Sequence, residues 1–346
     1  MSKSTGHLTV AMVALFVAWP FAAVAQSDWR TSTEVRKLYE AARAEGEVVI
    51  WGAQRRELAW IQEPFGKRFP GIDVKWTADR SAATKLITEH RAGRFAVDLF
   101  HFSLGGMLPV DRRRVLATND WTIWGNGPED VLLDGKVGVT HNLVYAVVYN
   151  EELVSADDLP TTWAGYLEPR WQGKLVASQF LLPRLLGFLA LEWGEAKAAD
   201  YARALIDRQK TLITRAPREG ILQRGERLVA VGEFVGSAMY WKSLGMPMHW
   251  AATELMPATQ FGVATLVRAP HPYAAQLLAG WMTTDEAKIT RERLMFSADV
   301  RPGSGSEIGA LLSAKRGRIV FENLGNMTDR AALYERLSAI VTGQAR

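Results

Sequence analysis

The side chains with chemistry to offer in this sequence sit just beyond short apolar runs. Gln54 and Arg55 follow residues 47–51 (EVVIW), and Arg80 follows residues 72–76 (IDVKW). His101 and Ser103 fall at the end of residues 96–102 (AVDLFHF). Amides, hydroxyls and imidazoles donate hydrogen bonds, and a guanidinium grips a carboxylate or phosphate through two parallel bonds. A set of this kind suits an anionic ligand. Enzyme chemistry is poorly served. There is no Gly-x-Ser-x-Gly elbow, because Gly303-Ser304-Gly305-Ser306 has the wrong spacing, and no two acidic residues are placed as a pair by sequence. The 6 histidines include no pair at i, i+4 spacing, and the Cys count is 0, so zinc ligation of that type and thiol chemistry are excluded.

These residues need elements to hold them. Thr31 and Glu34 fit a capping box, Val35, Leu38, Tyr39 and Ala42 fall at helical spacing, and Gly46 sits where a C-terminal cap belongs. Leu58, Ile61 and Phe65 predict a second helix stopped by Pro70-Gly71, and Leu86, Ile87 and His90 a third. Strands at 47–51, 72–76 and 96–102 alternating with helices imply parallel pairing through right-handed crossovers. In such sheets ligands bind beyond the carboxyl ends of the strands, at 52–55, 77–81 and 101–105 here. Residues 143–149 are β-branched and aromatic, a strand buried on both faces, where the chain leaves one layer for another. Thr162 caps a turn carrying Trp163 and Tyr166. Further on, helices are expected at 183–193, 196–208, 219–231, 285–295 and 329–341, and strands at 175–177, 211–214, 236–241, 248–252 and 261–268.

With 346 residues, 48% hydrophobic and 23% charged, the chain has room for two soluble domains. A net charge of +4 is small, and Arg112-Arg113-Arg114 reads as the solvated start of a helix. No aromatic and basic residues interleave as nucleic-acid binding needs. Lys3, an apolar run over 8–19, Pro20 and Ala23-Val24-Ala25 compose a secretory signal peptide, residues 1–25, cleaved after Ala25. No cysteine follows to carry a lipid, and no other window reaches transmembrane length, so an exported, freely diffusing protein without stable membrane insertion is expected, in the periplasm of a bacterium with an outer membrane.

Several phrases recur together in order. Tyr39-Glu40-Ala41-Ala42 precedes Glu45-Gly46-Glu47-Val48-Val49, and Phe69-Pro70-Gly71-Ile72-Asp73-Val74 comes next. Asp98, Val148-Tyr149-Asn150, Leu159-Pro160, Thr162-Trp163, Pro169, Trp171 and Gly173-Lys174 follow, then Gly232-Glu233, Gly245, Pro247 and Ala269-Pro270-His271-Pro272-Tyr273. Over nearly all of the mature chain this resembles the extracellular solute-binding proteins of ABC importers, in the iron(III)-type branch that also holds thiamine, phosphonate and sugar-phosphate binders.

The resemblance implies an α/β, type II periplasmic-binding-protein fold, in which two lobes joined by two crossing strands close on a ligand. Lobe 1 is then 26–144 plus 261–346 and lobe 2 is 145–260, with crossings near 145–150 and 261–267. It also implies a monomer serving an ABC permease and its ATPase subunits, a small-molecule solute, no cofactor and no catalysis. His141 and Asn142 join the cleft from the crossing, and lobe 2 adds Ser178, Gln179, Arg184, Arg218, Ser237 and Tyr240. An anionic organic solute fits these donors. A ferric ion stays open as an alternative, although iron-binding members carry adjacent tyrosines where this chain has Tyr240-Trp241. A secreted α/β hydrolase is a more distant one. Most of the 13 tryptophans read as packing, Trp163 and Trp171 above all.

Overall fold

Ser32, one residue later than expected, opens the first helix of the computed structural model, which describes residues 28–315 and 317–344. The Ser32 hydroxyl accepts the Val35 N–H at 3.3 Å, and α1 (Thr33–Glu45) ends at Gly46 in the left-handed conformation. The signal peptide expected at residues 1–25 lies outside the described residues. After β1 (Glu47–Gly52), the single helix expected through Leu58 and Phe65 breaks at Trp60 into α2 (Arg55–Ala59) and α3 (Gln62–Arg68). β2 (Asp73–Ala78), α4 (Ala82–Arg91), β3 (Leu99–Ser103) and α5 (Leu104–Asp111) complete the alternation. β2 and β3 flank β1 in parallel, as right-handed crossovers require. Arg112, Arg113 and Arg114 trail the end of α5 instead of starting a helix, and all are exposed.

Past the short β4 (Val131–Leu132), β5 (Val137–Asn150) is buried along its whole length. Then follow β6 (Leu175–Ser178), α6 (Leu182–Trp193), α7 (Glu195–Arg203), β7 (Leu212–Thr214), α8 (Arg218–Gln223) and β8 (Val229–Phe234). α9 (Val235–Ser243), β9 (Met248–Ala251) and β10 (Leu255–Thr265) complete the middle of the chain. Residues 219–231 are therefore not one helix, and 236–241 is helical where a strand was expected. A short apolar run buried on both sides has no period to tell the two apart. The run 229–234 is buried at every position, whereas Val235, Ala238 and Trp241 bury one helical stripe.

The strand order is β2-β1-β3-β10-β5-β8-β6-β7. Its turning point is the pair β5 and β10. Residues Gly138 to Val144 of β5 lie antiparallel to β10, whereas Tyr145 to Asn150 exchange β10 for β8 and β9. β10 likewise pairs with β3 over its second half, from Phe261. Period-two alternation splits β5 between two cores, Tyr145, Val147 and Tyr149 facing one and Val144, Ala146 and Val148 the other. Trp163 is fully buried in the first of these, its indole N–H donating to the Leu255 carbonyl at 2.8 Å.

α10 (Pro272–Thr283) and α11 (Asp285–Met295) return to the first strands, and Thr284 caps α11 as expected. Beyond α11 the residues expected in lobe 1 pack against cores other than that of α10 and α11. Phe296, at φ +53°, turns the chain over a third time. Ala298, Val300 and, in α12 (Glu307–Ser313), Ile308 and Leu312 join the core around Val144 and Trp250. β11 (Arg318–Phe321) pairs with β10, and α13 (Leu324–Val341) packs Leu333, Leu337 and Val341 against the core of α6 and α7. No aperiodic signal in the sequence marks this third crossing.

Gly280 in α10 meets the Trp124 indole so closely that an added Cβ would stand 1.9 Å from its Nε1. Gly280→Ala is expected to lower stability by about 1–3 kcal/mol through overpacking, read as a lower thermal midpoint.

Candidate functional site

The carboxyl ends of β1, β2 and β3 face those of β6, β7 and β8 across the crossing strands, and side chains from the two sets already touch. Arg80, in the loop after β2, places its guanidinium 4.8 Å from the ring centre of Phe180, which follows β6. Arg215, after β7, approaches the same ring at 5.9 Å and donates from Nε to Gln179 Oε1 at 2.8 Å. Arg56 in α2 donates to the Gly236 carbonyl of α9 at 3.1 Å and to Met295 O, with its guanidinium 4.3 Å from the Tyr240 ring. A guanidinium stacked by its face keeps in-plane donors for another acceptor.

Several expected residues line this opening. Gln54 is exposed and stands at the N-cap of α2 without a side-chain capping bond. Arg55, also exposed, lies over Trp76 at 5.7 Å. Ser178 is buried at the end of β6, where its hydroxyl accepts the Phe180 and Leu181 N–H groups at 3.2 and 3.3 Å and shapes the loop that presents Phe180. Ser237 is half-buried on the first turn of α9, and Tyr240 follows one turn on. Ser103 and Arg184 line one cavity of about 430 Å³ with Phe102, Leu108, Thr259 and Tyr334. This cavity lies between α5 on one side and α6 and α13 on the other.

Others are committed elsewhere. Arg218 gives both Nε and Nη2 to Glu233 Oε2, at 2.9 and 2.6 Å, so its charge is already answered. Asn142 is buried and accepts the Val300 N–H at 3.1 Å, tying β5 to the third crossing. His101 and His141 do not reach the opening. Both are fully buried beneath α2, their rings stacked at 5.5 Å between centres.

These histidines belong to a polar chain through the core. His101 Nε2 lies 3.2 Å from Thr140 Oγ1, which lies 3.1 Å from His141 Nδ1, and His141 Nε2 lies 3.0 Å from Glu57 Oε2. Ser297 donates to Glu57 Oε1 at 3.3 Å, and the fully buried Arg291 donates to the Thr140 carbonyl at 2.9 Å. With His141 Nε2–H on the carboxylate, its Nδ1 accepts the Thr140 hydroxyl, whose oxygen accepts His101 Nε2–H. Every bond then has a donor and an acceptor with both rings neutral. Burial pushes the His101 imidazole well below its ordinary value, helped by the charge of Arg291, and pushes His141 down against the pull of Glu57. Burial alone would raise Glu57, but His141, His101 and Arg291 outweigh it and hold the carboxyl far below the usual range. The chain fastens α2, and hence Gln54 and Arg55, to the crossing strand.

A larger cavity, about 780 Å³, opens at Gln260, on the opposite face of β10 from Thr259. Its cations are paired. Asp299 takes Lys288 and Arg301 at 2.9 and 2.6 Å, and Arg301 also meets Asp130 at 2.6 Å. Among the described residues, no group of three His, Cys, Asp or Glu side chains is placed to hold a metal ion, and no helix is long and apolar enough to cross a membrane.

No protein-family model and no curated protein matches the sequence. Solved structures do match. The substrate-binding protein of an ABC transporter from Agrobacterium tumefaciens superposes with a TM-score of 0.72 at 14% identity, over 87% of this chain and 96% of that one. An ABC transporter substrate-binding protein from Bradyrhizobium japonicum gives 0.70 at 10% identity, over 85% and 99%. This chain has their fold. Iron-bound HitA from Pseudomonas aeruginosa shares it as well, with a TM-score of 0.66 and 15% identity over 85% of this chain and 99% of that one. The type II periplasmic-binding-protein architecture expected from the sequence, two α/β lobes on crossing strands, is therefore present.

The sequence alone does not single out Arg56, Glu57, Phe180, Arg215 or Thr259. Arg56 and Glu57 adjoin Arg55, and Phe180 adjoins Gln179, so proximity to the strand ends was the available signal.

Both imidazoles are favoured neutral in the folded state, whereas unfolding lets them protonate near 6.5. Below that pH the unfolded state binds more protons, so stability that is complete above it declines as the pH falls. His101→Gln keeps a polar partner for Thr140 but cannot titrate. Its unfolding free energy in urea should drop less than that of the wild type between about pH 7.5 and about pH 5.5; equal drops would mean that His101 is not held neutral.

Proposed function

We propose that this protein is the periplasmic substrate-binding component of an ABC-type importer, capturing a small anionic organic solute by lobe closure and delivering it to a permease and its ATPase subunits. The observation that carries the reading is the opening itself, where guanidiniums from both lobes, Arg55 and Arg80 on one side and Arg215 on the other, stand exposed at opposed strand ends. The shared fold supports it, as does the length of β5 and β10, along which the lobes can swing. Lobe 1 then comprises residues 26–144 and 261 to about 295, and lobe 2 comprises 145–260 with the segment after Phe296. The work of this site is capture and release, without turnover, by a monomer.

Capture at micromolar strength corresponds to about 8 kcal/mol. A few charge-assisted hydrogen bonds of about 1.5–3 kcal/mol each supply much of it once ordering is offset. A ferric ion is served less well. Tyr240, the one phenol near the expected tyrosine position, has the Arg56 guanidinium over its ring, and the carboxylate of Glu233 is held by Arg218.

A thermal-shift screen against carboxylates, phosphates, phosphonates and ferric salts tests the reading. A bound solute at a hundred times its Kd should add about 2.7 kcal/mol, raising the midpoint by several degrees, and small-angle scattering should report a more compact molecule. Arg80→Ala should slow association and flatten its dependence on salt more than it speeds dissociation, measured by stopped-flow fluorescence. Stabilisation by ferric salts alone would overturn the anion reading.

A further inference from the structure

The cavity between α5, α6 and α13 bears on what class of solute is carried. At its floor is Thr259 of β10, 4% exposed, and behind it stands Tyr145 of β5, 0% exposed. Both hydroxyls are buried, and neither has a hydrogen-bond partner. Two hydroxyls carry two hydrogens. Each is left without an acceptor in a desolvated place, where an unmade bond is costly.

Charges of both signs stand near, Glu335 lining the cavity together with Arg112 and Arg184. Arg184 and Arg330 both act on the Tyr145 oxygen. Arg330 is ion-paired with Glu322, whereas Arg184 has no ion pair among the described residues and lines the cavity directly. The walls are of a different character. Phe102, Leu108 and Pro109 from the first lobe and Tyr334 from α13 present carbon to the space. A volume of about 430 Å³ falls at the small end of ligand pockets and suits a compact organic molecule.

We propose that the solute is a small organic monocarboxylate with an apolar body. Its carboxylate is bound by Arg184 and by the unpartnered Thr259 hydroxyl at the cavity floor, and its body lies against Phe102, Leu108, Pro109 and Tyr334. This rests on the solute-binding reading above and narrows it. Inorganic phosphate would fill the charged end and leave the apolar walls wet, and a ferric cation would meet two guanidiniums. Lobe closure completes the site, since Phe102 and Leu108 belong to one lobe and Arg184 and Tyr334 to the other.

Isothermal calorimetry with phenylacetate, 4-methylpentanoate, phenylacetamide, inorganic phosphate and ferric citrate tests this on the mature chain. At least one of the two apolar carboxylates should bind, with phenylacetamide and phosphate weaker by about tenfold or more. Thr259→Val removes the hydroxyl at nearly constant shape. It should leave the thermal midpoint of the ligand-free protein unchanged or raised while weakening the carboxylate about tenfold, and Arg184→Ala should weaken it at least as much. Carboxylate binding that neither variant weakens would overturn the assignment, as would Thr259→Val lowering the midpoint with affinity intact. Binding of phosphate without either carboxylate would overturn the proposed class and leave the anion-import reading standing. Ferric citrate binding alone would sink both.

Discussion

Between Val144 and Tyr145 the long strand β5 changes partners, from β10 on the side of the first lobe to β8 and β9 on the side of the second. The strand is buried on both faces while it does so, and its alternating side chains serve two different cores. Its register against β10 therefore sets the position of one lobe on the other, because a slip of one residue would exchange the side chains offered to each core. The third crossing at Phe296 is fastened to the same place, through Asn142 N–H to the Ala298 carbonyl at 2.8 Å and Val300 N–H to the Asn142 side chain.

Charge is handled in opposite ways beneath α2 and at the opening. Below α2, Glu57 and Arg291 are almost wholly out of water; Glu57 stands beside His141 and Ser297, and Arg291 donates from Nη1 to the Thr140 carbonyl while its Nε and Nη2 have no hydrogen-bond partner. Two neutral histidines and a threonine relay hydrogen bonds between β3, β5 and α2. A buried polar chain of this kind stabilises little compared with apolar packing, but it admits few alternative geometries. At the opening, Arg55, Arg80 and Arg56 lie across the faces of Trp76, Phe180 and Tyr240. Stacking there holds each guanidinium in place without consuming all of its in-plane donors. The same residue type, abundant through the chain, is fully buried in one setting and stands over an aromatic ring at the opening in the other.

Much of the opening was legible from strand ends. Gln54, Arg55, Arg80, Ser103, Ser178 and Gln179 lie where the carboxyl-end rule puts them, since that rule depends only on the order of strands and helices. His101, His141 and Asn142 satisfy it by position and yet face inward. Whether a residue at the end of a strand points to the opening or into the core depends on the parity of the pleat and on what packs above, here α2 with Glu57. Arg218 looked free because Glu233, its partner, lies on the next strand. The β8–α9 boundary was misread because an apolar run buried on all sides carries no period.

The order of apolar runs, turn residues and caps by itself determined an α/β chain in two lobes, the first three parallel strands, and the loops that bear polar groups. These follow from local propensity and from chirality, which act over a few residues. Only the tertiary structure decided that the segment after Phe296 packs on the core around Val144 and Trp250, that His101 and His141 are buried beneath α2, and that Thr259, Arg184 and α13 meet around one cavity. Those residues are separated by long stretches of chain. They come together because the crossing strands fix one register and α13 finds the apolar face of α6, and no local pattern encodes the distance between them.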